Sequence, residues 1–300
     1  MIKTTVIGSY PVRLDGVKYA REYFTQAPSD AISDSLKQAV DVQVKAGIDI
    51  VSDGQTRGDF VNIFARNFSG VVIQGRPVVL RDIDYVRLST VEDQKAVRRL
   101  LPKGVQLKGI ITGPYTLAKS SVNRHYPSLK DLAFAYAEGL AREARELSGV
   151  VDYVQVDEPF YSVDYPEYGR ELTGKVFGGV KVKRMLHVCG DVSRIFERLV
   201  DYKVDYLEHE FAANPKLWDA VDGVDYKQIL GVGVVRSDVN KAETVQEISE
   251  RMLTALKHVG EKRLIFNPDC GLRNLDPEVA YAKLKNMVDA RDKLVAGFKP

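Results

Sequence analysis

The chain is 300 residues long, 45% hydrophobic and 28% charged, with a net charge of +2, which is ordinary for a globular protein of one large α/β domain or two small ones. That charge is too small, and its acids and bases too interspersed, to indicate a nucleic-acid or membrane-surface partner. Two cysteines, Cys189 and Cys270, exclude a disulfide framework, and no apolar run approaches the ~20 residues that span a bilayer.

Met1-Ile2-Lys3 leads straight into a strand-like segment with no signal-peptide pattern, so a cytoplasmic location with reduced thiols is expected. Thr4-Thr5-Val6-Ile7-Gly8-Ser9 is β-branched and closes on a polar end. Ser29 or Asp30 can cap a helix that runs to about Ala46. Ile48-Asp49-Ile50-Val51 is the next strand, closing at Ser52-Asp53-Gly54, and a helix follows near Phe60 to Asn67. Residues 70–89 interrupt this rhythm. Val71-Val72-Ile73 and Val78-Val79-Leu80 flank Gly75-Arg76-Pro77 as a hairpin, with Tyr85-Val86-Arg87-Leu88 as a third short strand.

The alternation then resumes with strands at Leu107–Thr112, Val151–Val156, Met185–His187, Val204–Glu210, Ile229–Val235 and Leu264–Phe266. Helices are expected at Leu129–Leu147, Tyr168–Lys175, Val192–Val200, Pro215–Val221 and Thr244–Val259, the last with a Thr244/Glu247 capping box. Asp276 and Pro277 open a final helix. Eight strands, each followed by a helix, predict a (β/α)8 TIM barrel occupying residues 1–300 as a single catalytic domain, with the hairpin as an excursion. A doubly wound sheet is the rival fold.

Functional side chains of a barrel gather at the C-terminal ends of its strands. This reading places Ser9, Asp53, Gly113, Asp157, Glu158, His187, Cys189, Glu210, Asp238 and Cys270 there, so both cysteines fall on the same face. His187 and Cys189 lie two residues apart and point the same way in a strand. With Cys270 and a carboxylate from the sixth strand they make a tetrahedral zinc set. Glu208 and Glu210 share one face, and Glu210 is preferred because it lies nearer the strand's end. A hydrogen-bonded structural histidine, inert buried thiols, and a Cys189–Cys270 disulfide stand as the alternatives.

His187-Val188-Cys189, the Glu210 strand end and Asn267-Pro268-Asp269-Cys270-Gly271-Leu272 resemble the zinc motifs of the cobalamin-independent methionine synthase family. Ile7-Gly8-Ser9-Tyr10-Pro11, Gly113-Pro114-Tyr115-Thr116 and Gln155-Val156-Asp157-Glu158-Pro159 resemble its other motifs, in family order over nearly the whole chain. The resemblance is to the catalytic C-terminal barrel of the long folate-using enzymes, with no counterpart of their N-terminal barrel, and in length to the short archaeal-type core enzymes. It implies zinc on His187, Cys189, Glu210 and Cys270, and L-homocysteine bound at Ile7, Gly8, Ser9 and Asp157. Glu158, next to Asp157, is expected either to orient loops or to assist the amine.

Two departures bear on mechanism. The family's acidic amino-group ligand is missing from the turn Asp53-Gly54-Gln55-Thr56-Arg57 or moved to Asp53. The histidine proton donor after strand seven is replaced by Arg236-Ser237-Asp238, leaving Asp238 as the proton-moving candidate and His125 and His209 as others. A folate donor requires protonation of a poor amine leaving group, whereas methylcobalamin does not. The expected donor is therefore a methylcobalamin-bearing corrinoid protein, with methyl-tetrahydrofolate or methyl-tetrahydropterin as the alternative. A zinc thiol-alkyltransferase acting on coenzyme M and a non-catalytic zinc-binding barrel subunit are the rival functions. Asp157 argues against coenzyme M, which has no amine to pair.

Overall fold

A computed structural model describes residues 2–13, 16 and 30–297. Its elements in chain order are β1 (Lys3–Thr4), α1 (Asp30–Ala46), β2 (Ile50–Val51), α2 (Asn62–Ala65), β3 (Phe68–Gln74), β4 (Arg76–Tyr85), α3 (Ser89–Leu100), β5 (Gln106–Thr112), α4 (Pro114–Ser120) and β6 (Val122–Asn123). There follow α5 (Leu129–Leu147), β7 (Tyr153–Asp157), α6 (Gly169–Val176), β8 (Lys183–His187), α7 (Phe196–Leu199), β9 (Tyr206–His209), α8 (Leu217–Asp222), β10 (Ile229–Val235), α9 (Val245–Val259), β11 (Leu264–Pro268) and α10 (Pro277–Ala296). Eight of the strands form one parallel sheet in the order β1-β11-β10-β9-β8-β7-β5-β2. A parallel bridge from Thr5 to Ile50 joins its two edges and closes the barrel, and the Thr5 hydroxyl donates to the Ile50 carbonyl at 3.0 Å. The (β/α)8 expectation therefore holds, although the first two strands are only Lys3–Thr4 and Ile50–Val51 where Thr4–Ser9 and Ile48–Val51 are expected.

The period of two divides each strand between two environments. Val154, Val156, Leu186, Val188 and Leu207 pack outward under the helices. Ile50, Tyr153, Met185, Tyr206 and Ile265 form a separate apolar layer that plugs the barrel interior at the N-terminal ends of the strands. Above this plug the inward positions turn polar, with Lys108, Gln155, His187, Glu208 and Asn267 all fully buried. An interior of that kind is costly unless every group is paired, and its pairing governs the site described below.

Residues 68–85 make the expected hairpin, with β3 antiparallel to β4. The third strand of this small sheet is not Tyr85–Leu88 but β6, parallel to β4. Tyr85 already ends β4, and the following chain is drawn away by the Val86 amide donating to the Asn67 carbonyl at 2.8 Å. The hairpin seats on α5 at Gly139, where a Cβ would lie 2.3 Å from the Phe68 ring.

Several helices are shorter than their periodicity suggests. The segment expected to be helical from Val192 is helical only over α7, because the Asp191 carboxylate accepts the Ser193 amide in a local turn. Around Phe60 only α2 forms, entered through a turn in which the Asp59 carboxylate accepts the Val61 and Asn62 amides at 3.1 and 2.9 Å. The Thr244/Glu247 capping box is present as expected. Asp276 stands at the N-cap of α10 but binds the Asn240 amide instead of capping. Ser29 lies outside the described residues. Among the described residues no helix is long and apolar enough to cross a membrane.

Candidate metal centre and amino-acid pocket

The inward face of β8 carries His187 at its last residue, and Cys189 follows two positions on, so both point to the barrel mouth as strand alternation requires. Cys270 arrives from the end of β11. The His187 Nε2 and Cys189 Sγ atoms are 2.8 Å apart, and so are the two sulfurs. The ligand atoms of His187, Cys189 and Cys270 all lie within 4.8 Å of one another. The cysteines are free thiols, not a disulfide.

His187 Nδ1–H donates to the Glu208 carbonyl at 3.1 Å, which directs the Nε2 lone pair toward the thiols. Burial brings its pKa down to about 3, so the ring is neutral and available as a ligand. The Cys189 thiol is pushed well up, first by its hydrogen bond with Cys270 and then by burial. An imidazole whose far nitrogen is tied to a carbonyl, beside two thiols, is the donor chemistry of a zinc site.

The two strand-six carboxylates take different places. Glu208 is sealed within the barrel and pairs with Lys108 at 3.3 Å. Glu210 is half-buried and stands close enough to raise the Cys189 thiol, but it is outside the tight three-donor cluster. Its carboxylate accepts the Gly190 amide and feels Asp238 and Arg236. The expected fourth ligand is thus adjacent, held by Gly190.

A cavity of about 410 Å³ opens beside these donors. Ile7, Ser9, Gln55, Asp157, Cys189 and Cys270 line it, with Asp59, Phe60, Arg273 and Asn274 toward the rim. Asp157 receives a hydrogen bond from Gln155 Nε2 at 2.6 Å. Burial raises its pKa to about 7, and an ammonium ligand would bring it back down. The Gly8 carbonyl does not face the cavity, since it accepts the Ser52 hydroxyl at 3.0 Å.

Three of the expected site residues lie elsewhere. Glu158 is fully buried and spends its carboxylate on the first turn of α4, accepting the Tyr115 amide at 3.0 Å and the Thr116 amide and hydroxyl at 2.9 and 2.6 Å. It is a helix cap, where a carboxylate complements the macrodipole, and leaves nothing for an amine. Asp53 accepts the Gln55 amide at 3.0 Å and is not among the cavity-lining residues. It closes its own turn. Asp238 is exposed and clasped by Arg236, with contacts of 2.8 and 2.5 Å. That pair holds its pKa below the usual carboxylate range, the wrong direction for a proton donor. His125 is bound to Asp82 on the hairpin side, and His209 faces outward against Phe196, so neither lines the cavity.

Gln55 was not singled out from the sequence. It is buried, its φ of 48° is the one positive value among described non-glycine residues, and its Nε2 has no partner. Strain of this kind gathers at functional sites. Arg273 ties this turn to the Cys270 loop by donating to the Gln55 and Gly58 carbonyls. Lys108 and Gln155 were also missed, although a lysine inside an apolar strand was a visible signal.

Fold and site together define a barrel enzyme with a thiol-rich, metal-type centre set into an amino-acid-sized pocket. A profile of the family described as "Cobalamin-independent synthase, Catalytic domain" matches residues 2–293. The chain is 37% identical to a methionine synthase of Methanocaldococcus jannaschii, over 96% of this chain and 97% of that one. It is 35% identical to a methionine synthase of Methanothermobacter marburgensis, over 96% and 98%. A solved B12-independent methionine synthase from Shewanella, in complex with selenomethionine, superposes with a TM-score of 0.85 at 26% identity, covering 99% of each chain. The chain belongs to the cobalamin-independent methionine synthase family and is a homocysteine methyltransferase.

Proposed function

We propose that the chain forms methionine by moving a methyl group from a reduced folate or pterin to the thiol of L-homocysteine, at a zinc ion held by His187, Cys189 and Cys270 and completed by Glu210. The observation that carries this reading is that two donors of the His187/Cys189/Cys270 cluster, Cys189 and Cys270, line the same cavity as Asp157. A thiol substrate meets the donors while its amine meets the carboxylate. The selenomethionine in the Shewanella relative supports an amino-acid ligand in a pocket of this fold.

Zinc, when bound, keeps a coordinated thiol deprotonated at neutral pH, where a free thiol with a pKa near ~8.5 is mostly protonated. The protein's own residues do the positioning. The Glu208 carbonyl fixes the tautomer of His187. Cys189 and Cys270 lose their protons on ligation, so metal affinity falls as pH falls. Asp157 takes the ammonium, and Ser9 with the neighbouring backbone takes the carboxylate. Together they fix the sulfur relative to the incoming methyl.

The family description, cobalamin-independent, favours the folate or pterin donor over the corrinoid protein expected from the sequence. The corrinoid reading rests on the missing histidine after β10, where Arg236-Ser237-Asp238 stand and Asp238 is unsuited to donate a proton. Side-by-side assays with methyl-tetrahydrofolate, methyl-tetrahydropterin and methylcobalamin, each with homocysteine and with coenzyme M as acceptor, test the proposal. Methionine from a folate or pterin donor is expected. Turnover with methylcobalamin alone overturns the donor assignment, and preference for coenzyme M overturns the acceptor.

A further inference from the structure

Below Asp157 the barrel interior holds a polar chain that zinc ligation does not use. Lys108, Gln155 and Glu208 are each fully buried. Lys108 Nζ donates to Gln155 Oε1 and sits 3.3 and 3.5 Å from the two carboxylate oxygens of Glu208. An ammonium has donors only, so it accepts nothing and fixes the amide of Gln155 with its oxygen toward the lysine. The Gln155 nitrogen must then face the other way, and both of its protons are used. One goes to the Ile7 carbonyl at 2.9 Å and one to Asp157 Oδ1 at 2.6 Å. Turned over, the amide would set its oxygen against a carbonyl and a carboxylate, with no donor between them.

One side chain thereby ties the segment after β1 to the end of β7, with Ile7 and Asp157 both lining the cavity. We infer that Gln155, oriented by the buried Lys108–Glu208 pair, is a positioning residue that sets Asp157 to select thiol substrates carrying an α-amine. The inference rests on the reading that this cavity binds homocysteine. The residue does not touch the substrate. It pins one carboxylate oxygen of Asp157, which a side chain of equal size without the amide cannot do.

The test is calorimetric, on zinc-loaded protein, with L-homocysteine and 4-mercaptobutanoate, which keeps the thiol and carboxylate and lacks the amine. Wild type is expected to prefer homocysteine by about tenfold or more, the size of a charge-assisted hydrogen bond. In Gln155→Met that preference falls to within about threefold, while binding of 4-mercaptobutanoate stays close to wild type. Gln155→Glu keeps the shape but sets an acceptor against Asp157, so it loses at least as much preference; it serves also if the methionine variant does not fold. Equal weakening toward both thiols, or a Gln155→Glu protein that keeps the wild-type preference, overturns the inference, as does a wild type indifferent to the amine. A wild type that prefers the amine yet forms no methionine overturns the methyltransfer reading and leaves this one standing.

Discussion

Asp157 sits at the floor of the pocket with its pKa raised to about 7 because burial penalises its charge, against relief from Gln155 and Lys108. Its use as an ammonium partner requires the ionised form, so binding weakens as pH falls through about 7. Replacing it with asparagine removes the charge at every pH. Asp157→Asn is therefore expected to raise the KM for homocysteine about thirtyfold at pH 8, equivalent to about 2 kcal/mol of charge-assisted hydrogen bonding. The ratio of variant to wild-type KM shrinks below pH 7, where wild type has itself lost the charge. Taking the ratio cancels the pH dependence of the substrate thiol, and a ratio that is flat from pH 6 to 8 would contradict this role. At this scale the sequence was informative where chemistry is local. His187 and Cys189 declared themselves by spacing, and Asp157 by its strand end. Lys108 and Gln155 did not, because their meaning depends on Glu208, one hundred residues beyond Lys108, meeting them across the barrel.

Among the elements, α4 shows how a motif that looks catalytic can be structural. The Gly113-Pro114-Tyr115-Thr116 stretch gives a helix whose first amides converge on the Glu158 carboxylate. Gly113 is required for that approach, since a Cβ there would lie 2.1 Å from Glu158 Cδ. Gly113→Ala is expected to cost about 1–3 kcal/mol by overpacking and by dislodging a buried cap, read as a lower urea midpoint. An unchanged midpoint would show that the carboxylate has room to move. Strand positions were legible because buried parallel strands read as apolar runs. The short helices α2 and α7 were overextended because side-chain turns at Asp59 and Asp191, not periodicity, set where they begin. The hairpin's third strand was misplaced because β6 joins it from beyond α4.

For the molecule as a whole, closure of the barrel is what makes the centre. Cys189 and Cys270 are separated by 81 positions, yet the order β8, β9, β10, β11 around the sheet turns both toward one mouth, and the Thr5–Ile50 bridge seals the ring. Counting eight strands made this arrangement readable in advance, including which face would carry both thiols. The place of Glu210 was less so, because parity put it and Glu208 on one face and only the packed interior separates the buried ion pair from the carboxylate at the rim. The central claim is that the substrate sulfur joins this donor set. X-ray absorption at the zinc edge, on protein loaded with one zinc per chain, measures it directly. Two sulfur ligands are predicted without substrate and three with homocysteine, with metal lost in Cys270→Ala. An unchanged sulfur count on adding homocysteine, or full zinc retention in Cys270→Ala, would contradict the account.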